Sequence, residues 1–138
     1  MLTAVIAFLV LVLCCGTRWF LDRPSRRKKS VAGGHIELTA LWNEGAAFGL
    51  PIPAWLLKML SCGALVFLWN RRRESPVGVG LFLGGGLSNL LERLHAGRVF
   101  DYVRFPHAPG KLRRYVFNLA DFAVFLGGVL WILGKRRK

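Results

Sequence analysis

Val116-Phe117-Asn118-Leu119-Ala120-Asp121 opens an apolar run that continues to Leu133. A run of that length reads as a helix able to cross a bilayer, with Asp121 close to its start. A carboxylate at the edge of a bilayer is costly to desolvate, so it has a partner or a task. A second one, Asp101, lies in Val99-Phe100-Asp101-Tyr102-Val103, close behind another apolar run. Two carboxylates that can meet are a candidate acid–base pair.

Three further apolar runs precede this one: Leu2 to Phe20, Ala54 to Trp69 and Val77 to Leu94. Each is near the ~17–25 residues that span a hydrocarbon core as helix, the first two at the short end. The first run has no basic stretch before it and no small-residue cleavage site after it, so an uncleaved helix is expected. The bulky Leu13 before Cys14 makes a poor lipidation site. Trp19 and Phe20 then fall at the interface, in an aromatic belt.

Asp22 to Pro53 connects the first two runs. It begins with a basic cluster: Arg23, Arg26, Arg27, Lys28 and Lys29. His35 to Asn43 then alternates, with Ile36, Leu38, Ala40 and Trp42 expected on one face of a half-buried strand. Gly45, Gly49, Pro51 and Pro53 end that pattern. Arg71, Arg72 and Arg73 form a tight basic turn, and Lys135 to Lys138 a basic tail. With four helices both lie on one side, which the positive-inside rule would make the cytoplasm. The other two connections also carry many Lys and Arg, including Lys111, Arg113 and Arg114, so charge alone does not decide the orientation. Gly80, Gly84 and Ser88 recur every four residues, a row that admits close approach of another helix.

The chain has 138 residues, enough for one domain, and residues 1–138 are read as a single polytopic unit. It is 54% hydrophobic and carries 20 Lys+Arg against 7 Asp+Glu, with apolar and charged residues in separate blocks. That is the layout of a multi-pass membrane protein. A net charge of +13 raises nucleic-acid binding, but the basic clusters flank apolar runs and no reader motif occurs, so no nucleic acid is expected. Anionic lipid headgroups account for the same charges. Cys14, Cys15 and Cys62 lie inside apolar runs and read as packing residues. His35, His95 and His107 fit no metal-ligand spacing, so neither metal nor cofactor is expected.

Asn89 and Arg93 are four apart and share a helix face, with Glu92 beside Arg93 as an expected ion-pair partner. Asn118 and Asp121 are three apart, on one face of the last helix. Val99 to Val103 reads as an extended segment short enough to fold back over the helix ends. Asn43 belongs to the connection on the same side. One surface therefore gathers Asp101, Asp121, Asn43, Asn89, Asn118 and Arg93. Two close carboxylates share a proton: the ionised one can take a proton from water, the protonated one can polarise a peptide carbonyl. No Ser-His, Cys-His or HExxH arrangement competes. The alternative is a non-catalytic four-helix binding or transport protein, whose polar residues would line a pathway. No polar row runs through the middle of the apolar runs.

These residues resemble the bacterial lipoprotein signal peptidases, or signal peptidase II. Three ordered blocks carry the resemblance: Trp42-Asn43-Glu44-Gly45-Ala46-Ala47-Phe48-Gly49; Gly84 to Arg93 running on through Gly97-Arg98-Val99-Phe100-Asp101-Tyr102; and Val116 to Asp121. It covers about Leu41 to Leu133. The resemblance implies a membrane all-α fold of four transmembrane helices with a small extracytoplasmic β-cradle. It implies an aspartic endopeptidase that cuts prolipoproteins just before a diacylglyceryl-modified Cys. Asp101 and Asp121 would be catalytic, with Asn43, Asn89, Arg93 and Asn118 holding substrate and the pair. The expected partners are prolipoprotein signal peptides and membrane lipids, and the expected state is a monomer. Its expected place is the bacterial cytoplasmic membrane, with the active site at the extracytoplasmic surface and both termini cytoplasmic. One departure stands out: the family usually has Asp where this chain has Glu92, and activity is expected to survive it.

Overall fold

The computed structural model describes residues 1–23, 29–45 and 52–135. Arg26, Arg27, Lys28, Pro51, the stretch 46–49 of the first block and residues 136–138 of the tail lie outside the described residues. The fold is mostly helical with one small antiparallel sheet. The helices are α1 (Leu2–Leu21), α2 (Ala54–Asn70), α3 (Pro76–Ala96) and α4 (Leu119–Lys135). The strands are β1 (Lys29–Val31), β2 (Ile36–Asn43), β3 (Val99–Arg104) and β4 (Val116–Phe117), in the order β1-β2-β3-β4. Each of the four apolar runs is helical over most of its length, and the Arg71–Arg73 turn separates α2 from α3. The fourth run needs correction: its first residues, Val116 and Phe117, pair with β3 as a strand, and the helix starts only at Leu119.

α3 is the central helix, packed against α1, α2 and α4. Its glycines divide into two rows. Gly80 and Gly84 face α1: a Cβ on Gly84 would lie 2.6 Å from the Ala7 carbonyl oxygen. Gly78 and Gly85 face α4, where a Cβ on Gly85 would lie 2.5 Å from the Ala120 carbonyl oxygen. Gly127 answers from α4, its Cβ position 2.5 Å from the Phe82 backbone nitrogen. The sequence row of small residues thus seats α1, and a second row, unread in the sequence, seats α4. Bare backbones meet here, which maximises dispersion contact where water expulsion contributes little.

Leu68, Val79 and Leu83 form a small buried cluster joined by Leu65, Phe82 and Trp131. A second buried layer, Val99, Phe100, Tyr102 and Ala120, lies between sheet and helix ends. The outward faces are strongly apolar: Phe8, Leu9, Trp55, Met59, Val66, Phe125 and Ile132 are all exposed. Cys15 and Cys62 join that outer surface, and only Cys14 packs inside, which corrects the reading of all three as packing residues. Among the described residues α1 alone is long and apolar enough to cross a membrane by length and composition. α2 and α4 are apolar helices of 17 residues each.

Gly97 stops α3. It adopts a left-handed conformation (φ 73°) and its N–H bonds the Arg93 carbonyl at 3.1 Å. That conformation costs an L-residue with a Cβ free energy, and it turns the chain directly into β3. At the other end of α3, Trp131 Nε1 donates to Glu74 at 3.0 Å and Ser75 Oγ to the Leu130 carbonyl at 3.2 Å, tying α4 to the α2–α3 turn.

Gly127→Ala is expected to lower stability by about 1–3 kcal/mol, because backbone lies where the methyl must go. Thermal unfolding in detergent reads this directly. An unchanged midpoint would mean that α3 and α4 do not meet as closely as described.

Candidate active site

The cleft is built by a one-residue irregularity in β2. Leu38 opposes Val103 and Leu41 opposes Asp101, so β2 takes three steps where β3 takes two. The extra residue is a bulge, and it reverses the phase of the strand. Leu38 and Leu41 consequently share the Asp101 face, and Trp42 turns to the opposite face against Phe100, ring centroids 5.1 Å apart. The simple alternation placing Trp42 with Ile36 and Leu38 is therefore wrong beyond the bulge. The consequence is functional, because Asn43 is carried onto the face of Asp101.

Asn43 Nδ2 donates to Asp101 Oδ2 at 3.0 Å. Its Oδ1 accepts the Gly45 N–H at 3.0 Å, which fixes the amide's orientation. Asn118 Nδ2 donates to Asp101 Oδ1 at 2.7 Å and to Asn89 Oδ1 at 3.1 Å. Asn89 Nδ2 donates to Asp121 Oδ1 at 2.9 Å. The Asn118 N–H donates to Asp121 Oδ2 at 3.0 Å, and Asn118 Oδ1 accepts the Asp121 N–H at 2.9 Å.

That last reciprocal pair is a capping box at the start of α4, with Asn118 as cap and Asp121 three residues on. Asn118 and Asp121 are therefore not neighbours on one helix face, as the spacing suggested. Asn118 lies just outside the helix and faces back into it. The same geometry leaves its Nδ2 free to reach β3. Tyr102 completes the end: its hydroxyl accepts the Leu119 N–H at 3.0 Å, satisfying another donor of the first turn.

All six residues expected at the site lie in this one network. Arg93 reaches it by Nη1 to the Asn89 carbonyl at 3.3 Å and by Nη2 to the Gly45 carbonyl at 3.4 Å. The expected Glu92–Arg93 pair is not what forms. Glu92 turns the other way, accepting the Phe100 N–H at 2.9 Å and pairing with Arg18 at 3.6 Å. The reason is helical: adjacent residues point about 100° apart. Tyr102 and Arg18 were missed in the sequence. An arginine in the last turn of an apolar helix was the available signal for the second.

The cleft holds about 160 Å³, with Asp101, Asp121, Asn43 and Arg93 around it and Arg114 and Tyr115 at its edge. Asp101 and Asn118 are only 3% and 4% exposed. Burial pushes the Asp101 carboxyl up to about 6, with the Asp121 charge adding to the rise; the Asn43 and Asn118 donors and the Arg93 charge oppose it. The arrangement sets two carboxyls, joined through Asn118 and Asn89, at one cleft. Among the described residues no cluster of three or more His, Cys, Asp or Glu offers a metal site.

A family model described as signal peptidase (SPase) II matches residues 6–135. The chain is 39% identical over 131 residues to a lipoprotein signal peptidase of Syntrophomonas wolfei, spanning 86% of this chain and 82% of that protein. It is 30% identical over 132 residues to one from Chlorobium luteolum, spanning 86% and 79%. A solved bacterial membrane enzyme superposes with a TM-score of 0.83 at 21% identity, over 98% of this chain and 87% of that one. At that identity the superposition speaks for the fold.

A buried carboxyl with a raised pKa makes stability pH-dependent. The folded state holds its proton more tightly than the unfolded chain, so the native state loses relative stability as pH rises from about 4 through about 6. Asp101→Asn is expected to remove that loss, so that its stability relative to wild type rises by on the order of 2–3 kcal/mol between pH 4 and pH 8. Melting curves of both proteins from pH 4 to 8 test it. A variant whose stability falls with pH as steeply as that of wild type would show that Asp101 does not carry the dependence.

Proposed function

This chain belongs to the signal peptidase II family, membrane-bound peptidases that act on lipoprotein precursors, and from that premise we propose an aspartic mechanism at Asp101 and Asp121. The observation that carries the proposal is the bridging of the two carboxyls through one residue, Asn118.

The reaction needs no group beyond these. The pair carries one proton. The ionised carboxylate takes a proton from water as the water oxygen attacks the scissile carbonyl carbon. The protonated carboxyl gives its proton to the carbonyl oxygen. Collapse of the resulting diol breaks the C–N bond, and the amine leaves with a proton returned through the pair. The bond cut is the one just before the diacylglyceryl-modified Cys, whose amine becomes the new N-terminus. Arg93 and Asn43 flank the carboxyls and can bond the substrate backbone. Asn89 and Asn118 have their amides committed to the pair, so their role is to hold it.

The architecture suits a substrate that arrives from lipid. α1 to α4 serve as four membrane spans, and the apolar outward faces meet acyl chains. α2 and α4 reach about 25 Å as 17-residue helices, slightly short of a ~30 Å core, which local thinning of the bilayer accommodates. The sheet forms a cradle at one surface. α3 runs from the Arg71–Arg73 turn to the cleft, so that basic turn lies at the far surface. The positive-inside rule makes the far surface cytoplasmic and the cleft extracytoplasmic. α1 begins and α4 ends on the cytoplasmic side. The chain acts as a single monomeric unit.

Purified protein in detergent is expected to cut a diacylglyceryl-modified prolipoprotein. Asp101→Asn and Asp121→Asn each are expected to reduce turnover by at least about 10³-fold while melting cooperatively. Wild-type turnover by either variant removes that residue from the reaction. Since the pair must keep one proton, kcat/KM is expected to fall as pH rises through about 6. A rate that climbs steadily through pH 8 would contradict the shared proton.

A further inference from the structure

α1 ends at the same surface as the cleft. Arg18, in its last turn, is its one cation there. On the orientation proposed above, this arginine stands on the extracytoplasmic side. Its surroundings explain its presence. Its Nε lies 3.6 Å from Glu92 Oε2, and its guanidinium lies 5.6 Å from the Trp42 ring centre. Arg98 lies over the same ring at 4.6 Å. The Nε of Arg18 is buried and has no hydrogen-bond partner among the described residues, and the Glu92 charge lies beside it.

Glu92 Oε2 is also the acceptor of the Phe100 N–H, at 2.9 Å. This bond spans eight residues of chain, from the last turns of α3 across Gly97 to β3. It fixes the point at which the chain leaves the helix for the strand. Phe100 is fully buried, and its ring packs on both Trp42 and Tyr102, at 5.1 and 5.8 Å. The next residue is Asp101. A displaced Phe100 N–H moves the backbone that carries Asp101, while the Asn118 end of the network stays fixed to α4.

We propose that Arg18 is a positioning residue for Asp101, acting through Glu92 and the Phe100 N–H. Arg18 pairs with Glu92 and holds it turned inward, Glu92 holds the start of β3, and β3 presents Asp101 to Asp121. The inference rests on the peptidase reading for its catalytic consequence, but its structural link stands apart from it. It also gives the longer Glu92 a task at the position where the family usually carries Asp: the side chain serves the strand and α1 at once.

The test compares wild type with Arg18→Met, Arg18→Lys, Glu92→Gln and the Arg18→Met/Glu92→Gln double variant, all full-length in detergent. Arg18→Met is expected to lower kcat by about 10-fold or more with KM within about 2-fold, as misplacement of a reacting group does. Arg18→Lys is expected to restore most of that loss. In the Glu92→Gln background Arg18→Met is expected to cost little more, since the two act in series. Without substrate, hydrogen exchange at the Phe100 amide is expected to quicken in Arg18→Met and not in Arg18→Lys.

Wild-type kcat in Arg18→Met, or a loss carried over in full to the Glu92→Gln background, overturns the proposal. An unchanged Phe100 amide overturns the link even if activity falls. Absence of cleavage by wild type sinks the peptidase reading instead, and leaves the exchange result to decide the link.

Discussion

The Asn118 carboxamide bonds three residues from three different elements: its Oδ1 takes the N–H of Asp121 in α4, and its Nδ2 gives to Asp101 in β3 and to Asn89 in α3. A helix needs its first N–H groups satisfied, and Asn is among the best residues for that task. Here the cap does more than start α4. Because the capping carboxylate is Asp121 itself, the start of the helix and the position of one candidate catalytic group are the same constraint. The remaining amide donors then place the second carboxyl relative to the first. Few side chains could substitute: Asp lacks the donors, and Ser or Thr lacks the reach.

The rest of the molecule serves to bring those three elements to one point. Glycine faces on α3 let α1 and α4 approach on backbone contact, which leaves little room for the helices to slide. Gly97 turns the chain sharply so that β3 begins beside the helix it leaves. The bulge in β2 then rotates Asn43 onto the Asp101 face. Each device is small, and each acts on the position of a polar atom in a place with little water. There an unpaired polar group is expensive, so the bonds among Asp101, Asp121, Asn43, Asn89 and Asn118 specify one arrangement strongly.

Much of this was legible from the chain. The apolar runs fixed the helices to within a few residues, because nothing else in a chain of this composition is apolar for so long. Alternation from His35 to Asn43 marked β2, and the carboxylates at the ends of apolar runs marked the site. What escaped was pairing. Asn118 and Asp121 at a spacing of three fit a helix face and a capping box equally, and only the strand before Asn118 decides between them. Period-two alternation carries no sign of a bulge, so Trp42 was placed on the wrong face. Glu92 beside Arg93 looked like a pair along the chain, whereas side chains on a helix meet across turns or across elements. Arg18, seventy-four residues from Glu92, had no local cue to its partner.

Carboxyl-labelled aspartate NMR in detergent tests whether Asp101 and Asp121 titrate as one unit. Burial and the neighbouring Asp121 charge both hold the Asp101 carboxyl up, near 6. Its resonance is expected to titrate there in the wild type and to move to lower pH in Asp121→Asn, as the like charge is removed. An Asp101 carboxyl that titrates near 4, or one indifferent to Asp121→Asn, would contradict a shared titration.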